Sequence, residues 1–138
     1  MNDKPVPDCT IFFLAKAYQK AHSMFKQRLK PYHLTNLQHL VLEGLWYQEG
    51  QTAAELGKLL VLDKATLSGV LERMEESGWI IRRQDPEDRR LVRLYTSPRT
   101  ESMKEELLRI RIEANDELLA GFSLEEKFLF KRMLRDLM

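Results

Sequence analysis

Hydrogen-bond donors and positive charge are concentrated between Lys64 and Arg99. The segment from Trp79 to Arg99 contains six arginines and three acidic residues, a local charge of +3, although the whole chain carries only +1 and the remainder therefore carries −2. A basic patch on an otherwise balanced surface is typical of a nucleic-acid site, because guanidinium groups pair with phosphates. A solvated edge hairpin that uses arginine for solubility is the alternative interpretation of this segment alone.

The segment from Lys64 to Ser77 has the pattern of a helix with two different faces. Four apolar residues recur at helical spacing and predict a buried side: Leu67, Val70, Leu71 and Met74. On the opposite side, Ala65 and Gly69 are small enough to let a helix approach a groove closely. The residues of this helix that could contact bases or phosphates are Lys64, Ala65, Thr66, Ser68 and Arg73. An ordinary amphipathic helix explains the pattern equally well, and only the basic segment that follows favours DNA.

Two cap signals position this helix. Thr52-Ala-Ala-Glu55 has the pattern of a capping box and predicts a helix from Ala53 whose apolar side is formed by Leu56, Leu59 and Leu60. Val61-Leu62-Asp63 is too short to do more than turn the chain, and Asp63 is suited to cap the next helix, with Leu62 and Leu67 as a hydrophobic staple. The sequence therefore predicts a helix-turn-helix whose second helix spans residues 64–77.

A β-hairpin is predicted directly after this helix. Gly78 can end the helix in the left-handed conformation, and the segments 79–84 and 91–95 favour strands joined by the charged loop Asp85–Arg90. An arginine on such a thin hairpin can enter a narrow A·T-rich minor groove, where the negative potential is enhanced. The order of these elements predicts a winged helix-turn-helix, with residues 79–96 as the wing.

Helices are also predicted before this unit. An apolar helix should begin after an Asp8 cap and end before Pro31, because proline disfavours helical conformation at the residue that precedes it. A capping box at Thr35–Gln38 predicts the next helix, to about Tyr47. The apolar residues of that helix that should support the DNA-binding unit are Leu37, Leu40, Val41 and Leu45.

Two further helices are predicted after the hairpin. Ser97-Pro98 should begin a helix that lasts to about Ala120 and ends at Gly121. A capping box at Ser123–Glu126 should begin the last one.

The terminal helices carry more apolar surface than one small domain can cover. In an isolated chain we expect partial exposure of Phe12, Phe13, Ile110, Ile112, Phe128 and Phe130. The sequence therefore predicts a homodimer joined through residues 9–30 and 98–138, with a compact monomeric bundle as the alternative. A two-fold dimer would present two recognition helices to half-sites ~34 Å apart.

Composition limits the other classes of protein. A chain of 138 residues with 43% hydrophobic and 31% charged residues is long enough for one domain with a core. Nothing resembles a signal peptide, and the apolar run from Ile11 to Ala15 is too short to span a membrane, so we expect a cytoplasmic protein. One cysteine and three histidines without ligand spacing predict no disulfide, metal or cofactor.

Several short motifs match one family. They are Leu34-Thr35, Leu62-Asp63 before Thr66-Leu67, Leu71-Glu-Arg-Met74 with Gly78, and Asp85-Pro-Glu-Asp-Arg-Arg90 ending at Leu94-Tyr-Thr96. By these motifs the chain resembles the MarR family of bacterial transcriptional regulators, and Asp88-Arg89-Arg90 is the most specific of them. The resemblance covers essentially the whole chain, residues 1–138, with residues 35–97 as the DNA-binding region.

The resemblance implies a mainly α fold, with a small hairpin wing flanked by N- and C-terminal dimerisation helices. It implies a homodimeric repressor that binds a pseudo-palindromic operator in double-stranded DNA and is released by a small-molecule effector. Arg90 would enter the minor groove, Asp88 would position Arg90 or brace Arg73, and Arg73 would contact DNA. Arg89, which lies between Asp88 and Arg90 in the motif, is a further candidate for contact with DNA. Candidate residues for an effector pocket, each equally suited to an ordinary core, are Phe12, Tyr18, His22, His39, Trp46 and Trp79.

Cys9 is a candidate for redox chemistry. At the first position of a helix capped by Asp8, exposed amides and the helix dipole favour its thiolate, whereas the Asp8 carboxylate opposes it. A peroxide-sensing branch of the resembled family has a reactive cysteine near the start of this helix. Here Cys9 lies about two residues too early, and Phe25 and Asn36 replace the tyrosines that would hydrogen-bond the thiolate, although Tyr18 or Tyr32 could substitute.

A protein-interaction module is the alternative from another class. Winged folds serve both functions, and Glu72, Glu75 and Glu76 make the recognition helix less basic than in many DNA readers. An enzyme is not expected, because the chain has no phosphate-binding glycine loop and no nucleophile motif.

Overall fold

The computed structural model describes residues 6–138, which form helices and one antiparallel hairpin. The helices are α1 (Thr10–Leu29), α2 (Asn36–Tyr47), α3 (Ala53–Leu60), α4 (Lys64–Glu76), α5 (Pro98–Ser102), α6 (Lys104–Leu118) and α7 (Leu124–Asp136). The strands are β1 (Ile80–Gln84) and β2 (Val92–Thr96), and a 3₁₀ turn (Lys30–Tyr32) follows α1. The predicted fold class, a mainly α winged helix-turn-helix, is confirmed.

The helix starts follow the predicted caps. Complete capping boxes, in which side chain and backbone bond reciprocally, begin α2 at Thr35, α3 at Thr52 and α7 at Ser123. Asp63 caps α4 by accepting from the Thr66 amide at 2.8 Å. The turn between α3 and α4 is closed by Val61, which has a left-handed φ of 54°, and by a bond from the Leu62 amide to the Gly57 carbonyl at 2.9 Å. Local hydrogen bonding therefore fixes the helix-turn-helix.

The wing begins directly after α4. Gly78 has a φ of 78°, and the amides of Gly78 and Trp79 donate to the carbonyls of Glu75 and Met74, which is the Schellman pattern. The two strands then pair from Ile80 opposite Thr96 to Gln84 opposite Val92. The predicted hairpin is confirmed to within one residue at each strand.

The base of the hairpin is also joined to the connection between α2 and α3. The Gly50 amide donates to the Leu94 carbonyl at 3.1 Å, and the Leu94 amide donates to the Gln51 carbonyl at 2.9 Å. Thr52 forms an isolated antiparallel bridge with Arg93. The wing is therefore anchored at its base by backbone bonds beyond its own two strands.

The core lies between the helix-turn-helix, the base of the wing and the neighbouring helices. Its fully buried apolar side chains include Leu29, Leu42, Leu45, Leu56, Leu71, Met74, Ile80, Leu94 and Leu107. Because Leu29 belongs to α1 and Leu107 to α6, both terminal regions reach this one core. Two predicted core leucines, Leu40 and Leu59, are instead 38% and 41% exposed because they face a groove between α2, α3 and α6. Ile110, which we expected to be partly exposed, is buried one turn beyond Leu107.

Three predicted helix boundaries are wrong. The residue that precedes α1 is Cys9, not Asp8, since Cys9 has extended backbone and its amide donates to the Pro7 carbonyl. The helix from Pro98 breaks at Met103, because the Thr100 hydroxyl donates to the Trp79 carbonyl and holds α5 on the base of the wing. The helix that was predicted to last to about Ala120 with Gly121 as its stop ends at Leu118, because a bond from the Phe122 amide to the Leu119 carbonyl closes the turn, and Gly121 does not have a left-handed φ.

His39 links three helices inside the molecule. It is fully buried on α2, and its Nε2 donates to the Leu107 carbonyl of α6 at 2.8 Å. Its Nδ1 lies 3.2 Å from Oε1 of Glu43, whose other oxygen accepts from Arg111 of α6 at 2.7 Å. The Phe25 ring of α1 packs edge-on against the imidazole, with ring centroids 4.9 Å apart. These contacts tie the DNA-binding region to the terminal helices.

Replacing His39 with alanine should lower the free energy of unfolding by about 3 kcal/mol, because it opens a cavity and leaves the Leu107 carbonyl without its buried donor. The measurement is urea unfolding at one fixed protein concentration, since association would contribute to stability. The exposed His22 provides the control, and His22→Ala should change stability by less than about 0.5 kcal/mol. Equal stability of the two variants would contradict the structural role of His39.

Candidate nucleic-acid interface

The outer face of α4 presents the side chains that the sequence predicts. Lys64, Ala65, Thr66, Ser68 and Arg73 are all exposed, whereas the opposite face is buried. A Cβ added at Gly69 would lie 3.6 Å from Nη1 of Arg73, so the guanidinium lies along the helix beside Gly69. The helix therefore offers a narrow surface with donors along it, and its N-terminal dipole adds positive potential there.

Thr66 is already used by the protein. Its hydroxyl donates to Oδ2 of Asp63 at 2.7 Å, and its amide donates to Oδ1 of the same carboxylate. These bonds lower the pKa of Asp63 below its ordinary value. The hydroxyl oxygen of Thr66 can therefore accept a hydrogen bond from a base, but its hydrogen is not free for a phosphate.

Lys64 and Ser68 share a groove with an arginine from the wing. The groove lies between α3, α4 and β1, has a volume of about 370 Å³, and is lined by Arg82 as well as by these two residues. Arg82 also pairs with Glu75 of α4, with 3.6 Å between Nε and Oε2. The structure thus brings the recognition helix and the first wing strand together, a contact that the sequence analysis did not predict.

The tip of the wing is organised by Asp88 and Arg90. Nε and Nη2 of Arg90 donate to the two carboxylate oxygens of Asp88 at 3.1 and 3.2 Å, and the Arg90 amide donates to Oδ1 at 3.1 Å. The bonds from Arg90 lower the pKa of Asp88. The Arg90 side chain is nevertheless 90% exposed. The family resemblance implies that Asp88 either positions Arg90 or braces Arg73. The structure shows the contact with Arg90, and no hydrogen bond or ion pair within residues 6–138 joins Asp88 to Arg73.

The other arginines of the basic segment differ in how they are held. Arg83 lies over the Tyr95 ring, with 5.6 Å from Cζ to the centroid, and Arg99 lies over the Trp79 ring at 4.5 Å. Arg93 bonds to Asp85 across the hairpin. Arg89 is exposed beside Arg90 at the tip. Both arginines of the predicted motif, Arg89 and Arg90, are therefore exposed at the tip of the wing.

Asp85 and Arg93 are wing residues that the sequence analysis missed as a pair. Asp85 had been assigned to the hairpin loop and to the family motif and Arg93 to the basic segment, without a contact between them, and eight positions separate them in the sequence. The hairpin register, with Gln84 opposite Val92, brings them next to each other. A prediction of that register could have found the pair, because it places Asp85 opposite Leu91 and makes Arg93, two residues further along, the diagonal neighbour of Asp85.

Cys9 is exposed and is the residue immediately before α1. It is therefore not at the first helical position, where it was predicted. The two tyrosines proposed as its partners have other contacts. The Tyr32 hydroxyl donates to Glu106, and the Tyr18 ring packs against His22 with 5.4 Å between centroids. The described residues thus do not assemble a hydrogen-bonded thiol site around Cys9.

A cavity of about 260 Å³ lies between α1, α2 and α6. Its lining includes Phe25, His39 and Arg111. Among the residues considered for an effector pocket, His39 lines this cavity, Trp46 lines a separate groove, and Trp79 is buried in the core. Tyr18 is 66% exposed on α1.

Over residues 6–138, no helix is both long and apolar enough to cross a membrane. Within the same range, no group of three or more histidine, cysteine or acidic side chains is placed to hold a metal ion.

Comparison with known proteins shows what this chain is similar to in sequence. The MarR family model matches residues 34–92. The HTH-type transcriptional regulator TtmR of Methylorubrum extorquens (strain PA1) is 36% identical over 90 residues, which are 63% of this chain and 46% of TtmR. The match thus spans about half the length of that relative.

Solved structures match over nearly the whole chain. A probable transcriptional regulator from Pseudomonas aeruginosa is 31% identical with a TM-score of 0.88, over 95% of this chain and 98% of that one. BpsR of Bordetella bronchiseptica, whose DNA binding is regulated by 6-hydroxynicotinic acid, is 25% identical with a TM-score of 0.88, over 99% and 97% of the two chains. The chain therefore belongs to the MarR family.

Proposed function

We propose that the chain is a DNA-binding transcriptional regulator that acts as a homodimeric repressor at a pseudo-palindromic operator. The recognition helix α4 enters the major groove and the wing, β1 and β2 with their loop, enters the minor groove. One observation carries the proposal: the donor-bearing face of α4 is exposed, and Arg90 extends from the neighbouring hairpin with 90% of its side chain exposed. Exposed guanidinium groups beside a small-residue helix face fit phosphates and base edges.

The proposed contacts divide into two kinds. Lys64, Ser68 and Arg73 donate to phosphates or bases in the major groove, where Ala65 permits close approach and Thr66 accepts from a base. Arg89 and Arg90 contribute positive charge to the minor-groove contact, and Asp88 orients Arg90 through the two bonds that it accepts from the guanidinium. Phosphate contacts supply affinity, and the few base contacts of α4 supply sequence preference.

The terminal helices support the proposed dimer. Helix α7 has no buried residue in the single chain, and Ile11, Ile112 and Phe128 are 79%, 52% and 66% exposed. Exposed apolar helix faces of this extent mark a protein interface. A two-fold dimer through α1, α6 and α7 sets two copies of α4 at half-sites ~34 Å apart.

The cavity between α1, α2 and α6 is the proposed place for a releasing effector. It lies where the terminal helices meet the DNA-binding region, and its lining includes His39, which bonds α2 to α6. BpsR shows that DNA binding in a structural relative responds to a small molecule. A compound that binds better to a non-binding arrangement of these helices would shift the population away from DNA.

The test is fluorescence anisotropy with a labelled duplex from the DNA that flanks the gene of this chain, across a salt series. Each phosphate contact releases about one counterion, so the logarithm of the binding constant should fall steeply and linearly with the logarithm of salt concentration. An excess of unrelated duplex serves as the control for sequence preference. A binding constant that does not change with salt concentration, or equal binding to the unrelated duplex, would contradict an operator-specific regulator and favour a protein-docking module.

A further inference from the structure

Asp85 and Arg93 connect the tip of the wing to the body of the protein. Nε of Arg93 donates to Oδ2 of Asp85 at 2.6 Å, and Nη1 of Arg93 donates to the Gly50 carbonyl at 2.9 Å. Gly50 belongs to the connection between α2 and α3, outside the hairpin. One guanidinium thus bonds to the wing loop and to the body at the same time.

The other oxygen of Asp85 organises the loop itself. Oδ1 accepts from the amides of Glu87 and Asp88 at 2.8 and 3.2 Å. Asp88 in turn accepts from the amide and the side chain of Arg90. An unbroken series of hydrogen bonds therefore leads from the Gly50 carbonyl through Arg93, Asp85 and Asp88 to Arg90.

Burial separates the inner pair from the tip. The side chains of Asp85 and Arg93 are 14% and 32% exposed, compared with 90% for Arg90. The bond from Arg93 is the main cause that lowers the pKa of Asp85, and the amides of Glu87 and Asp88 add to it. A two-stranded hairpin is only marginally stable by itself, so bonds that join its loop to residues outside the hairpin add to its order.

We propose that Asp85 and Arg93 are positioning residues for DNA binding, which fix the direction of Arg89 and Arg90 without contacting DNA themselves. This proposal rests on the proposed function. The bond between Asp85 and Arg93 orders the wing loop before DNA binds. A loop that is already ordered loses less conformational entropy when the complex forms, so DNA binding is tighter.

A direct phosphate contact by Arg93 is the competing explanation, and Asp85 distinguishes the two. Asp85→Asn removes one negative charge, so simple electrostatics predicts tighter binding to DNA. Asparagine keeps an acceptor for the amides of Glu87 and Asp88 but loses the ionic bond to Arg93. Our proposal therefore predicts weaker binding, the opposite sign.

Glu87→Gln is the matched control. It removes the same charge from the same loop, and within the described residues the Glu87 side chain has no hydrogen bond or ion pair. Binding is measured by anisotropy with a duplex enriched by in vitro selection on the wild-type protein. We expect Asp85→Asn to bind about tenfold more weakly than wild type, and Glu87→Gln to bind as well as wild type or more tightly. Equal or tighter binding by Asp85→Asn would overturn the proposal.

A double-mutant cycle tests whether the inner pair acts through the tip. In a background in which both Arg89 and Arg90 are replaced by alanine, Asp85→Asn should cost about twofold or less, because the groups that it positions are gone. The full tenfold loss in that background would overturn action through the two tip arginines.

Hydrogen exchange of the free protein separates this proposal from the proposed function, because it needs no DNA. In Asp85→Asn, the amides of residues 85 and 87–91 should exchange about tenfold faster than in Glu87→Gln, while amides of α4 remain unchanged. If the loop amides exchanged at equal rates in the two variants, the proposal that Asp85 and Arg93 order the loop would be overturned, whatever the DNA measurements give. Failure of wild-type protein to prefer any duplex would instead contradict the proposed function.

Discussion

Replacing Arg90 with alanine is expected to weaken operator binding by about 100-fold or more. A single lost arginine contact costs about 1–3 kcal/mol, and a two-fold dimer loses the contact at both wings. The Arg90 side chain is 90% exposed and its only bonds within residues 6–138 are to Asp88, so the substitution removes no contact that supports the core. The loss should therefore appear in DNA affinity and not in stability.

Anisotropy across a salt series checks this prediction in two ways. Affinity should fall at every salt concentration, and the slope of log K against log salt should decrease by about two, one for each lost cation. Arg109→Ala, an exposed arginine of α6, provides a control of equal charge change. An Arg90→Ala protein with wild-type affinity would refute the role of the wing tip, and an equal loss in Arg109→Ala would show a general effect of net charge.

The parts of the fold that could be predicted from the sequence are those that local bonds decide. Thr35, Thr52, Asp63 and Ser123 cap helices because each bonds to an amide three residues away. Gly78 ends α4 by two backbone bonds within the same few residues. Since all partners lie within one turn of helix, the sequence pattern contains the whole interaction.

The incorrect or incomplete predictions concern residues whose structure depends on a partner that is distant in the sequence. The break at Met103 depends on a bond from Thr100 to Trp79, 21 positions earlier. His39 was considered only as a possible pocket or core residue, because its partner Leu107 lies 68 positions away. Glycine is the residue type most typical of a helix C-terminal cap, but the turn that follows α6 does not require a left-handed residue at Gly121.

The same distinction applies to the candidate site. The exposed residues of α4 follow from helical periodicity alone, and all five are exposed as the pattern predicts. Asp88 and Arg90 are two positions apart, so their pairing is also local. The tie between Arg93 and Gly50 spans 43 positions, and no local pattern contains it. Sequence therefore predicts which groups could face DNA, whereas the contacts that orient them depend on the folded structure.

The second large effect is expected at the terminal helices. Ile11→Asp or Phe128→Asp should convert a dimer into monomers at micromolar concentration. Both side chains are mostly exposed in the single chain, at 79% and 66%, so the substitution costs the monomer little. In a dimer through α1, α6 and α7 the same position becomes buried, and an unpaired carboxylate there is strongly unfavourable.

Sedimentation velocity measures the association, and circular dichroism confirms that the variant is folded. The control is Tyr47→Asp, an equally drastic change at a side chain that is 78% exposed at the end of α2, a helix that is not part of the proposed dimer interface. Wild type and Tyr47→Asp should sediment as dimers. Wild-type protein that sediments as a monomer, or dimers that persist in both Ile11→Asp and Phe128→Asp, would contradict the proposed interface.

Loss of the dimer should also reduce operator affinity far more than loss of any one contact. In a dimer the second α4 binds its half-site at the high effective concentration set by the first, whereas separate monomers must bind each half-site independently. Ile11→Asp should therefore bind the full operator no better than an isolated half-site, although its α4 and wing are unchanged. A variant that is monomeric and yet retains full preference for the two-half-site duplex would show that the operator is read by one protomer, and the pseudo-palindromic arrangement would then have to be abandoned.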